Sequence, residues 1–122
     1  MRIGAAVADD GNRILPLSDG LTLKILDTES MQSESYPNPG YPLTQGRRAA
    51  ATDFLNEQRV QLVLAVPMTF CSISQEKARS YNMQFALLPE GSTWDEVVAK
   101  RLWTDEYVVA QIPEDQLFKP KK

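Results

Sequence analysis

At 122 residues and 13.7 kDa, the chain has room for one domain built round one hydrophobic core. A composition of 43% apolar and 24% charged residues argues against a disordered tail or a fibrous repeat, and a net charge of -3 argues against the basic stripe by which a dedicated nucleic-acid binder displaces counterions. One cysteine, Cys71, and no histidine exclude an intramolecular disulfide, an ordinary Cys/His zinc site and the Ser-His and Cys-His triads.

The apolar run at residues 3–8 breaks at Asp9-Asp10-Gly11-Asn12, so the start reads as a mature strand and turn rather than a signal peptide. Residues 13–17 supply a second extended piece, giving a hairpin, and the partial alternation of residues 21–27 a third strand. Residues 28–46, with Pro37, Pro39 and Pro42 among many Ser and Gln, read as a long loop. A helix follows from Arg47, rich in alanine, with Ala50, Ala51, Phe54 and Leu55 at helical spacing.

Residues 60–66 are nearly all aliphatic and end at Pro67, the pattern of a parallel strand buried on both faces. Ser72 with Gln75 matches a capping box and starts a second helix to about Tyr81; residues 83–88 give a further strand. Thr93 with Glu96 opens a third helix, whose stripe is Trp94, Val97, Val98, Arg101 and Leu102. Alternation of helix and strand through this half implies right-handed crossovers and the α/β class. Residues 107–112 are strand-like and could add an edge strand or meet a partner. No apolar run approaches the roughly 20 residues needed to cross a bilayer, and the lone thiol fits a reducing cytoplasm.

Ligands in such sheets collect beyond the carboxyl ends of parallel strands, which singles out residues 44–48, 67–72 and 89–93. Gly46, Arg47 and Arg48 at a helix start offer free amides, helix dipole and guanidinium groups to an anion, against the plainer reading of solvated or carboxylate-paired arginines. Cys71, just before the Ser72 cap, sits where a helix end favours the thiolate that ligates metals, against the plainer reading of a small packed residue. The crevice expected between these segments uses Gly46, Arg47, Arg48, Cys71 and Ser72, with Cys71 as the metal-ligating atom. Asp9 and Asp10 read as turn formers rather than Mg²⁺ ligands.

The opening Met1-Arg2-Ile3-Gly4-Ala5-Ala6-Val7, Arg13-Ile14-Leu15-Pro16, the strand ending at Asp27, Asn38-Pro39, the helix after Gly46 and Leu88-Pro89-Glu90-Gly91-Ser92-Thr93 resemble the dinitrogenase iron-molybdenum cofactor biosynthesis family, the small nitrogenase accessory factors. The resemblance runs over residues 1–103 and leaves 104–122 as a C-terminal extension. It implies a three-layer α/β/α fold of ribonuclease H-like motif with a mixed five-stranded sheet. It also implies a non-catalytic binding or carrier role for an iron-molybdenum or other iron-sulfur-type cluster, with nitrogenase or cofactor-assembly proteins as partners. Where many members carry His-Phe-Gly after the second strand, this chain has Leu17-Ser18-Asp19, and a glycine-rich loop is replaced by residues 67–71. One thiol and two arginines would then hold an anionic metal-sulfur cluster, with a homodimer doubling them. The alternative is a degenerate member acting as a protein-interaction or regulatory module. Neither reading calls for nucleic acid, membrane or catalysis.

Overall fold

The structure, a computed structural model, describes residues 1–119. Strands β1 (Arg2–Val7), β2 (Ile14–Leu15), β3 (Thr22–Asp27) and β4 (Gln32–Pro37) come first. Helix α1 (Arg47–Glu57), β5 (Leu62–Ala65), α2 (Ser72–Ser80), β6 (Gln84–Leu87), α3 (Trp94–Lys100) and β7 (Val108–Val109) follow. One mixed sheet has the order β4-β3-β1-β5-β6-β7, with β2 also paired to β1. β1, β5 and β6 run parallel to their neighbours in this set, and β3, β4 and β7 join antiparallel.

The aliphatic runs of β1, β5 and β6 are adjacent, as their composition predicts, because a strand without polar alternation is at home only where both faces are covered. Ala6, Val63, Ala65 and Phe85 point to a cluster completed by Ala51 and Leu55 of α1 and Ala78 of α2. Ile3, Ala5, Leu62, Leu64 and Ala86 point to the other face, where Trp94 and Val97 of α3 cover them. The sheet is therefore sandwiched between α1 with α2 and α3.

The five-stranded expectation is corrected to seven strands. Part of the expected loop at 28–46 is β4, paired with β3 from Asp27↔Gln32 to Thr22↔Pro37. Its polar sequence is stable there because β4 is an edge strand exposed along most of its length, and Pro37 sits at its end where a missing donor does least harm. β7 is the second addition, an antiparallel edge on β6. Residues 104–119 lie against the rest of the fold: Ile112 and Leu117 are buried, and the Phe118 amide donates to the Phe70 carbonyl at 2.8 Å.

The turn of Asp9 to Asn12 forms as the side chains dictate, the Asp10 carboxylate accepting from the amides of Asn12 and Arg13 at 2.8 and 3.0 Å. The α2 cap shifts by one residue. Cys71, not Ser72, is the N-cap: its Sγ accepts from the Ser74 amide, while Ser74 Oγ accepts from the Cys71 amide at 3.0 Å. Gln75 turns inward and accepts from the Ile112 amide, so the tail takes the side chain that would have closed the expected box. Thr93 caps α3 by accepting from the Glu96 amide. Arg101, in the left-handed conformation, ends that helix and leaves its apolar stripe for solvent.

Candidate functional site

The N-termini of α1 and α2 open onto one cavity of about 240 Å³. Gly46, Arg47, Arg48 and Ala49 line it from α1, and Cys71, Ile73, Ser74 and Lys77 from α2. Gly46 is the α1 cap at φ 67°, a left-handed conformation that glycine adopts without a Cβ penalty. It makes no side-chain cap, so the first-turn amides of α1 and the positive end of its dipole are left for a ligand. Basic helix starts are disfavoured by that same dipole, so two arginines here need other partners.

They find them in backbone carbonyls. Arg47 donates through Nη2 to Ser18 O at 2.7 Å and Tyr41 O at 3.0 Å and through Nε to Gly40 O at 3.2 Å, bracing two loops against the start of α1. Gly40 is obligatory in this brace, because a Cβ there would collide with the Arg47 carbonyl. Buried Asn38 holds the same loops: its Nδ2 donates to Leu17 O and Gly20 O, both at 2.9 Å, and its Oδ1 accepts from the Gly40 amide. The carbonyls of Leu17 and Ser18 are thus occupied in holding Asn38 and Arg47.

Arg48 reaches the other wall, donating to Thr69 O and Met68 O at 3.2 Å each, and its guanidinium lies 4.1 Å from the centre of the Phe118 ring. Burial, then its neighbour Arg47, lowers its pKa from the ordinary arginine value, with Cys71 and Asp19 pulling the other way; an arginine so perturbed is still a cation. Neither arginine pairs with a carboxylate among the described residues, and the bonds described use Nε and Nη2 of each. Neither positive charge is therefore met by a direct ion pair, and Asp19 and Cys71 act on Arg48 only through space.

Burial pushes the Cys71 thiol up, but the Ser74 hydroxyl, the amides of Ser74 and Ile73 and the Arg48 guanidinium together outweigh it and hold the thiol below its ordinary value. Among the described residues no group of three or more Cys, Asp or Glu gathers to hold a metal ion. The donors suit an anion that brings its own ligands, not a bare cation.

Of the residues singled out by sequence, Gly46, Arg47, Arg48 and Cys71 meet in this cavity. Ser72 faces a different one, with Glu114, Leu117 and Phe118. The segment 89–93 lies elsewhere, docked on the first hairpin through Ile14 N to Ser92 O. Sequence reasoning missed Lys77, although three residues after Ser74 is the same helix face, and Phe118, for which no local signal exists.

No protein-family model matches the chain, and no curated protein matches it. Among solved structures it is similar to the apo form of the orange protein from Desulfovibrio gigas, with a TM-score of 0.72 at 18% identity, over 88% of this chain and 90% of that one. A likeness at that identity establishes a shared fold. Among the described residues, no helix is long and apolar enough to cross a membrane.

Proposed function

We propose that this chain is a non-catalytic binding or carrier protein for a small anionic metal-sulfur cluster, taken into the crevice between the N-termini of α1 and α2. The observation that carries this reading is the convergence there of two unpaired guanidinium groups, the uncapped amides of α1 and the Cys71 thiol. Charge and hydrogen bonding from α1 would supply most of the affinity, and the thiolate one direct bond to metal. The lining offers no paired acid and base of the kind a proton-transfer enzyme uses. The orange protein, of the same fold and solved in its apo form, supports a ligand-binding role. The resemblance to the iron-molybdenum cofactor biosynthesis family, with its ribonuclease H-like layering, points to the same class of cargo and to cofactor-assembly proteins as partners.

The test is anaerobic purification with analysis for iron and molybdenum, then titration of the metal-free protein with tetrathiomolybdate followed by visible absorption. Near-stoichiometric binding that weakens with salt is expected. Arg47→Ala with Arg48→Ala should weaken it more than Cys71→Ser. Binding that survives the double arginine change and is abolished by Cys71→Ser would replace the charge-based account with thiolate ligation. Wild-type protein that takes up no cluster would leave the interaction-module reading in its place.

A further inference from the structure

We propose that Asp53 sets the charge, and so the anion selectivity, of the α1–α2 crevice by neutralising Lys77, a third cation in its wall; this rests on the anion-binding reading above. Lys77 lines the crevice together with Arg47 and Arg48. Arg47 and Arg48 bond to neutral carbonyls and keep their full charge, whereas Lys77 Nζ lies 3.0 Å from Asp53 Oδ2. The carboxylate is fixed from its other side, since Tyr81 donates to Asp53 Oδ1 at 2.6 Å. Asp53 stands on α1, Lys77 on α2 and Tyr81 at the C-cap just past it, so the group that subtracts a charge from the crevice lies outside its lining and is held at two points.

The crevice thus holds two arginines without a direct ion pair, Asp19 acting on Arg48 only through space, and a third cation paired directly with a carboxylate. Such a site favours anions of low charge, and a free Lys77 would favour more highly charged ones. Asp53→Asn keeps an oxygen for the Tyr81 hydroxyl and nearly the same shape while removing only the charge. Lys77→Gln leaves the carboxylate unbalanced. The two changes together restore neutrality.

The experiment measures tetrathiomolybdate affinity at low and high salt for the wild type, Asp53→Asn, Lys77→Gln, the double variant and Tyr81→Phe, with thermal melts confirming that each is folded. One unit charge acting on the tetrathiomolybdate dianion from about 8 Å in a water-like dielectric corresponds to roughly fivefold in affinity. Asp53→Asn should bind about fivefold tighter and Lys77→Gln about fivefold weaker, the double variant and Tyr81→Phe should stay close to wild type, and the differences should shrink in high salt. A merely structural clamp between the helices predicts weakening in all four. Wild-type binding that Asp53→Asn leaves unchanged or weakens overturns the role of Asp53 while leaving the anion site standing. Failure of both wild type and Asp53→Asn to bind overturns the anion site and this inference together.

Discussion

Leu64 is 1% exposed on β5, flanked by β1 and β6 and covered by the face that carries Trp94 and Val97. Truncating it to alanine leaves a hole that a sheet held on both edges cannot close, so Leu64→Ala should cost about 2–5 kcal/mol in urea unfolding. A loss below about 1 kcal/mol would show that the strand does not bear on the core. That burial is legible in the sequence, since residues 60–66 carry only one polar side chain. The two arginines show the opposite. Adjacent and identical in type, they differ in role, Arg47 bracing the loops at Ser18, Gly40 and Tyr41 and Arg48 crossing to the 68–69 loop. Their hydrogen-bond partners lie 6 to 29 residues away and are all carbonyls, which every residue type possesses.

Between elements, the contact of α1 with α2 decides both the width and the charge of the crevice. The Tyr81 hydroxyl is the largest influence holding the Asp53 carboxyl below its ordinary value of 3.8; burial opposes it and Lys77 reinforces it. A depressed folded-state pKa contributes stability that is present above the unfolded value and lost as pH falls through the folded one. Asp53→Asn should therefore be less stable than wild type at neutral pH, and the gap should close as pH drops below 3.8 and through the lower folded value. Urea midpoints of both proteins across that range are the check; a gap constant with pH would mean that the carboxylate charge contributes nothing. The side chain is substantially exposed, so the effect should be modest. β4 was not legible at this scale, because its pairing with β3 satisfies the backbone while its side chains remain polar and in water.

For the whole molecule, the C-terminal residues complete the fold along the seam where the crevice opens. The Met68 amide donates to Gln116 O and the Phe118 amide to Phe70 O, while Ile112 and Leu117 fill the cluster under α1 and α2. A chain ending at residue 111 should lose roughly 3 kcal/mol or more, since burying each such side chain contributes about 1.5–3 kcal/mol. Urea unfolding of the shortened chain measures this, and an unchanged midpoint would show that the tail only decorates the surface. Because the tail also seats Phe118 on Arg48, the same truncation should weaken anion binding beyond what the loss of stability explains.

The sequence by itself determined the α/β class, the three adjacent buried strands, the three helices and the hairpin turn at Asp10. Each follows from local rules of hydrophobic period, proline position and side-chain-to-amide bonding that operate within a few residues. It also placed Gly46, Arg47, Arg48 and Cys71 at strand ends and helix starts, where parallel topology gathers ligands. Tertiary structure alone decided that those four share one cavity and that Ser72 does not. It likewise decided that Cys71 and not Ser72 caps α2, and that Asp53 cancels Lys77 while Phe118 stacks on Arg48. The physical reason is range: a Gln75 side chain taken by the distant amide of Ile112, an ion pair between two helices and a ring on the tail depend on which surfaces packing brings together, and no local pattern records that.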